Sequence, residues 1–577
     1  MKDEITIAFV GTGGDGAVAA GDIIAAACAA DGLHVIKTEA YGPQIRGGES
    51  SATVRISAKP IHAPADLVDV LLVFNWADFG RFRDEITLAE DAVILHPGGD
   101  AVPAELITNQ RLFIPVPFDQ LAKEVNAPKS KNIIAVGAAV KLCSLQAGAA
   151  RAAITSRFAK KSTAVIEANL RAFDRGLLVD APSRSFSYSA GEPRLIMNGN
   201  DACALAAVEA GCRFFAGYPI TPSTEVLQHL GEWLPKLGGT ALQTEDELSA
   251  IGAVIGASFS GKKAMTATSG PGLSLMSEML GLSSIAEIPC VIYNVQRGGP
   301  STGLPTKSEQ SDLFHALYGS HGDTPRVVIA CADVEETFHA TVDAFNIAEE
   351  FQLPVILLSD QSIAQRKQTV DGAALHHDVV NRQVAVELTD YHRYAQTSDG
   401  VSPMSVPGMA GGMYQTNGLE HDERGRPCAM YATHERMNAK RYRKMDAVGK
   451  KYRMFRRFGD ENPDIGILSW GSSAGAVQEA VDQLRTEGIR VAAFVPQMLM
   501  PLPVAEMQAF VDSCGELLVV ELSCSGQFHQ YLRAQIDLPR QRTRLYARSG
   551  GKTLSVSEVI REVGLLARER VKMEVLA

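Results

Sequence analysis

The sequence predicts an α/β protein of three units, each with a mainly parallel sheet, joined by one long connection. Three observations predict it. Short apolar strands alternate with small-residue helices along most of the chain, the pattern of sheets covered by helices. At 577 residues the chain is too long for a single core. Composition changes twice, at a polar, small-residue stretch over 180–192 and at a Pro-, Gly- and Met-rich stretch around 403–412. Together these divide the chain into units at 1–185, 195–385 and 459–577, with 386–458 as a connecting region.

The first unit reads as a strand over 5–10, a glycine turn over 11–16, a helix over 17–30 and a strand from Val35. Strands over 70–74 and 92–95 continue the alternation, which implies a parallel sheet. In the second unit a helix over 201–210 leads to a strand over 213–216, a turn opened by Gly217 and a helix near Ser223. Strands over 241–243 and 263–267 flank an Ala- and Gly-rich helix over 247–260, and 289–295 and 354–359 read as two more strands. A basic helix over 434–451 ends the connecting region, and its charge reads as a solvated or interface face. The third unit has a strand over 465–470, a turn Gly471-Ser472-Ser473, a helix to Thr486, and strands over 491–495 and 517–521.

The net charge of −11 comes without a basic footprint, which excludes a general nucleic-acid binder. The longest apolar run, 23–30, falls far short of the ~20 residues of a bilayer span. Met1-Lys2-Asp3-Glu4 runs directly into a strand and does not read as a signal peptide, so a cytoplasmic protein with no membrane contact is expected. None of the nine cysteines pairs with another at C-x-x-C spacing, and they read as reduced, buried small hydrophobes.

Gly11, Gly13 and Gly16 satisfy G-x-G-x-x-G between a strand and a helix. Such a turn offers unpaired N–H groups and a helix dipole to a phosphate. Glu39 lies near where a dinucleotide ribose ligand would stand, so NAD or FAD binding is one reading and a ligand-free turn another. With the following Tyr41-Gly42-Pro43-Gln44-Ile45-Arg46-Gly47-Gly48-Glu49-Ser50, the segment resembles the gamma domain of 2-oxoacid:acceptor oxidoreductases. That resemblance spans about 1–180 and implies coenzyme A rather than a nicotinamide, with Gly11, Gly13, Gly14, Gly16 and Arg46 as candidate contacts. A guanidinium suits phosphate oxygens.

The second unit carries Gly217-Tyr218-Pro219-Ile220-Thr221-Pro222-Ser223-Thr224. Prolines on both sides of Thr221 leave little backbone freedom, and Ser223 or Thr224 can cap the next helix. Downstream stand Gln243-Thr244-Glu245-Asp246-Glu247, Thr266-Ala267-Thr268-Ser269-Gly270-Pro271-Gly272 and Gln296-Arg297-Gly298-Gly299-Pro300-Ser301-Thr302-Gly303-Leu304-Pro305-Thr306-Lys307. In this order, over about 195–390, they resemble the pyrimidine-binding domain of thiamine-diphosphate-dependent 2-oxoacid:ferredoxin oxidoreductases, the alpha subunit of the 2-oxoglutarate enzyme most of all. The resemblance implies Glu247 as the catalytic glutamate that hydrogen-bonds the cofactor's aminopyrimidine, ahead of Glu245. It implies Pro219 and Ile220 as further cofactor contacts. Thr221, Arg297 and Tyr218 become candidates for the 2-oxo-acid carboxylate, and Lys307 for a distal carboxylate.

Residues 460–577 resemble the transketolase C-terminal-like domain of the same enzymes, with Gly471-Ser472-Ser473 like an anion-binding turn and Met500-Pro501-Leu502-Pro503 like a family turn. The whole implies an alpha subunit with a fused gamma domain. Its reaction is oxidative decarboxylation of a 2-oxo acid with coenzyme A, electrons leaving to ferredoxin. Pyruvate and branched-chain oxo acids are the alternative substrates, and a nicotinamide-dependent dehydrogenase or a non-catalytic CoA-binding partner the rival readings. Mg²⁺ and a [4Fe–4S] cluster are expected on a beta-type partner subunit, in a dimer of alpha–beta pairs. No metal site is expected in this chain.

Overall fold

The run of apolar residues that opens the chain lies inside strand β1 (Glu4–Thr12), where Ile5 to Gly11 are all buried. Burial on both faces calls for a continuous apolar run rather than alternation. The computed structural model describes residues 3–42, 48–99, 101–184 and 186–576, without the side chains of 569–576. Strands are numbered β1 to β20 along the chain. The first sheet contains β1, β2 (His34–Tyr41), β3 (Glu49–Ser57), β4 (Val68–Val73), β5 (Leu88–His96), β6 (Leu112–Pro115), β7 (Leu195–Met197) and β14 (Lys367–Val370). Their order is β6-β5-β4-β1-β3-β2-β14-β7. The parallel sheet read from the sequence covers β1, β4, β5 and β6. The other four add antiparallel, because the hairpin strand β3 inserts between β1 and β2.

The second sheet, ordered β18-β12-β13-β11-β10-β8-β9, uses β8 (Phe214–Gly217), β9 (Thr240–Gln243), β10 (Ala264–Thr268), β11 (Cys290–Gln296), β12 (Val327–Ala330) and β13 (Pro354–Asp360). These six run parallel. The seventh strand, β18 (Met498–Met500), comes from the C-terminal region and pairs antiparallel with β12. The third sheet, β15-β17-β16-β19-β20, comprises β15 (Phe455–Gly459), β16 (Ile465–Leu468), β17 (Val491–Pro496), β19 (Glu516–Glu521) and β20 (Thr543–Ala547), with only β15 antiparallel.

Two compact units result. One is Met1–Asn198 with Gln365–Ala374 and Ser555–Ser557; the other is Gly199–Ala364, Leu375–Leu554 and Glu558–Ala577. In the larger unit one apolar core joins residues of both sheets, among them Ile292, Val328, Leu468 and Phe494. Seven cysteines are buried, Cys428 is half-buried and Cys524 is exposed. Among the described residues no helix is long and apolar enough to cross a membrane.

The helix Tyr431–Lys451 has the expected solvated side, with Arg436 and Lys450 exposed, but its other side departs from that expectation. Lys440 and Lys444 are wholly buried on Glu287, whose carboxyl accepts from Lys440 Nζ at 2.8 and 2.6 Å and lies 2.5 Å from Lys444 Nζ. A buried carboxylate draws the lysine face inward, a partner that sequence periodicity does not reveal. The turn Gly471–Ser473 is likewise internal. Ser472 donates to Asp360 and Ser473 to Gln310 Oε1 at 3.2 Å, so its hydroxyls are engaged and a carboxylate stands where an anion would.

Candidate active site

In the second sheet β11, β10, β8 and β9 are neighbours, and their carboxyl ends carry the four loops singled out above. Ligands of open α/β sheets bind at such strand ends. After β9 the chain enters the helix Glu247–Phe259, capped by Asp246, whose Oδ1 accepts from Ser249 N at 2.7 Å. With Asp246 serving as cap, the next acid is free of that duty. Glu247 turns inward and is 6% exposed, whereas Glu245 faces solvent. The Glu247 carboxyl receives no hydrogen bond from any described residue. It lies against Thr268 and Gly272. A Cβ added at Gly272 would sit 2.5 Å from Glu247 Oε1 and collide with Thr268 Oγ1, so only glycine fits here.

The loop after β8 is anchored from below. Asn200, wholly buried in the helix Gly199–Glu209, donates to the Pro222 carbonyl at 2.8 Å. Ser223 occupies the N-cap position of the helix Thr224–Trp233 but makes no capping bond, because its hydroxyl turns back to the Ile220 carbonyl at 3.1 Å. Arg297, at the end of β11, donates through Nη1 to the Thr221 carbonyl, which brings these two candidates together. Arg297 Nε is buried without a partner, and Nη2 has none among the described residues. Thr221 is exposed and Tyr218 is 42% exposed, while Pro219 and Ile220 are half-buried. The stem of Lys307 packs against Gly551, and its carbonyl accepts from Gly298 N at 3.0 Å, at the base of the glycine loop.

Sequence reasoning missed Asp312. Its carboxyl accepts from Asn294 Nδ2 at 3.0 Å and faces Gly270, where a Cβ would lie 2.9 Å from both oxygens. Burial pushes the Asp312 carboxyl up, while Asn294 and Arg297 pull it down. Burial likewise lowers the Arg297 guanidinium, against the nearby Asp312. Asp312 ends a polar run, Ser308 to Asp312, that reads as an ordinary loop; no motif marks it.

In the smaller unit the glycine turn is largely self-satisfied. Thr12 N donates to Asp15 Oδ2 at 2.8 Å and Gly13 N to the Gly48 carbonyl at 2.8 Å. Burial raises Asp15, but Lys131, 2.8 Å away, and Thr12 hold it below its ordinary value overall. Gly16 adopts φ +78° before the helix Ala17–Ala30, while Gly13 and Gly14 are exposed. Arg46 lies outside the described residues. The nicotinamide reading loses its supports: β3 separates β1 from β2, and Glu39 is tied to Lys37 and Tyr41.

Comparison with known proteins assigns these regions. The family profile described as "Pyruvate flavodoxin/ferredoxin oxidoreductase, thiamine diP-bdg" matches residues 205–440. "Pyruvate ferredoxin/flavodoxin oxidoreductase" matches 6–179, and "Pyruvate:ferredoxin oxidoreductase core domain II" matches 463–559. The 2-oxoglutarate synthase subunit KorA of Methanothermobacter thermautotrophicus is 38% identical, over 63% of this chain and 96% of that protein. The 2-oxoacid:ferredoxin oxidoreductase subunit alpha of Saccharolobus solfataricus is 30% identical over 91% of this chain and 92% of that one. Among solved structures, the 2-oxoglutarate:ferredoxin oxidoreductase from Magnetococcus marinus, with 2-oxoglutarate, coenzyme A and succinyl-CoA bound, is 39% identical. It superposes with a TM-score of 0.93, covering 98% of this chain and 100% of that chain.

Proposed function

This chain belongs to the 2-oxoacid:ferredoxin oxidoreductase family as an alpha-type subunit, and we propose that its second sheet forms the aminopyrimidine side of a thiamine diphosphate site acting on 2-oxoglutarate. The reaction is oxidative decarboxylation with coenzyme A to succinyl-CoA and carbon dioxide, with electrons passing to a ferredoxin.

The observation that carries this reading is Glu247, a buried carboxyl at a helix start with no donor among the described residues. Gly272 keeps any side chain off that carboxyl, and a ring nitrogen sharing a proton with Glu247 would supply the partner that no described residue provides. The residues present therefore fit the cofactor. When bound, thiamine diphosphate would supply a carbon nucleophile for the 2-oxo carbon and a cationic thiazolium ring as the sink for the electrons left by departing carbon dioxide.

Glu247 holds the proton at ring nitrogen N1′, and half-buried Pro219 and Ile220 give the ring an apolar wall. Arg297 and the Thr221 hydroxyl bind the substrate's 1-carboxylate, as a guanidinium with free N–H groups does best. Tyr218 borders the same opening, and Lys307 meets the distal carboxylate of a dicarboxylic substrate. Coenzyme A is assigned to the N-terminal turn. Gly11 and Gly16 shape that turn, exposed Gly13 and Gly14 let the ligand approach closely, and Arg46 contacts phosphate. The [4Fe–4S] cluster is assigned to a beta-type subunit, since no two cysteines here fall at C-x-x-C spacing, and Mg²⁺ is assigned there with the diphosphate, as the family resemblance implies. The assembly is a dimer of alpha–beta pairs in the cytoplasm.

The test is anaerobic reduction of a viologen or ferredoxin by this chain co-purified with its beta-type partner. The oxo acids compared are 2-oxoglutarate, pyruvate and 2-oxoisovalerate. Reduction that needs coenzyme A and prefers 2-oxoglutarate is expected. Preference for another oxo acid overturns the substrate, turnover by this chain alone overturns the division between subunits, and a complex that binds no thiamine diphosphate overturns the site.

A further inference from the structure

A cleft of about 490 Å³ in the larger unit has no part in the site described above. Three stretches distant in sequence meet around it: residues 317–326, the helix Tyr431–Lys451, and the C-terminal region through 500–504 and the helix Gln527–Gln535. Its walls are apolar and aromatic, with Met445, Leu502 and Val504 alongside Tyr318, Tyr442 and Tyr531. One charge lines it without a counter-charge. Arg326 is 1% exposed and makes no ion pair with any described residue. Its Nε and Nη1 make only long bonds, 3.3 Å to the Thr324 carbonyl and 3.5 Å to the Gly319 carbonyl, and Nη2 has no partner among the described residues. Asp323 also belongs to the lining, but it is exposed and does not pair with Arg326.

A buried guanidinium without an anion is costly, and folds keep one where an anion arrives to complete it. Its planar fork matches a carboxylate. Apolar walls enclosing a few hundred Å³ suit a small organic ligand. Exposed Asp323 disfavours a multiply charged head group. We propose that this cleft binds a small amphipathic monocarboxylate, its acid group on Arg326 and an aromatic or branched apolar tail among Met445, Leu502 and the three tyrosines. Such a ligand would bridge the three stretches and raise the stability of the larger unit.

The test is calorimetric titration of the alpha–beta complex with 3-phenylpropanoate and, separately, with neutral 3-phenylpropanamide. One saturable site per chain is expected for the acid, with the amide about tenfold weaker. Arg326→Gln should remove that difference. Should that variant not fold, Val504→Trp, at a wall position 40% exposed, should block the cleft and abolish binding. Three results overturn the proposal: no saturable binding by the complex, equal binding of acid and amide, or undiminished binding by Val504→Trp. Acid binding that survives Arg326→Gln but is lost in Arg297→Gln places the acid at the 2-oxo-acid site and overturns it too.

Discussion

Replacing Glu287 by Gln would leave Lys440, Lys444 and Arg393 buried together with no anion. All four side chains are shielded from water. Lys440 Nζ reaches both carboxyl oxygens, Lys444 Nζ lies 2.5 Å from one of them, and Arg393 Nη2 holds the Glu287 carbonyl at 2.7 Å. Removing one partner from such a buried set costs about 3–5 kcal/mol. At roughly 2–4 °C per kcal/mol for a domain-sized unit, melting should fall by roughly 6–20 °C. The loss should depend on pH. Burial lowers Lys444 to about 7 even though Glu287 pulls it upward. Without the carboxylate its pKa falls further. Above its folded pKa the buried lysine is neutral, while the unfolded chain stays protonated up to ~10.4, so the unfolded state binds more protons and stability rises with pH. That rise begins at lower pH in the variant. Its deficit should therefore grow as pH falls below about 7 and shrink toward pH 9, the change between pH 6 and pH 9 amounting to at most about 1.4 kcal/mol because the parent Lys444 takes up its proton only below about 7. Thermal unfolding followed by the tryptophan fluorescence of a Trp76→Phe background reads this unit, since Trp470 is fully buried in it and Trp76 belongs to the smaller one. A deficit below about 1 kcal/mol, the scale of an exposed pair, or one that widens toward pH 9, would refute the reasoning.

Glu247→Gln should lower CoA-dependent dye reduction by about 10²–10⁴ while exposed Glu245→Gln stays near the parent rate; equal losses in both would remove Glu247 from its role. Gly272→Ala drives a methyl against Thr268 and Glu247, so thiamine diphosphate content per purified complex should drop along with activity. Arg297→Lys keeps the charge but not the planar fork, and steady-state kinetics should show KM for the oxo acid rising more than kcat falls. Gly16→Ala meets Asn132 Nδ2 at 2.6 Å with φ +78°, and calorimetry of the full chain should show a loss of about 1–2 kcal/mol.

The strands that run through sheet centres were legible because burial on both faces writes itself as continuous apolar runs: 5–10 within β1, 289–295 around β11, 354–359 in β13. The helices over 17–30 and 247–260 followed from a glycine turn and from an Ala- and Gly-rich segment between two strands. Edge and hairpin strands were not legible. Strand β3 takes its place from pairing with Glu4–Thr12, and β14 from pairing with β2 and β7, partners supplied by chain segments far away in sequence. Within the site, Thr221, Arg297 and Glu247 became candidates through the family resemblance carried by the glycine- and proline-punctuated motifs around them. Asp312 could not, because what sets it apart is burial against Gly270 and Asn294. Lys440 and Lys444 misled for the same reason: a lysine reads as solvated until its carboxylate is seen.

Strand β18 has a consequence for inheritance. Val328 and Ile329 register with Met500 and Met498, so the C-terminal region lends a strand to a sheet whose other members lie more than a hundred residues upstream. A recombination event exchanging this region between relatives would also exchange the cover on β12, whose N–H and C=O groups would otherwise form an open edge. Crossovers upstream of residue 455 must therefore bring a compatible 498–500 segment with them. The two sheets of the larger unit are expected to diverge as a matched pair and not as interchangeable cassettes.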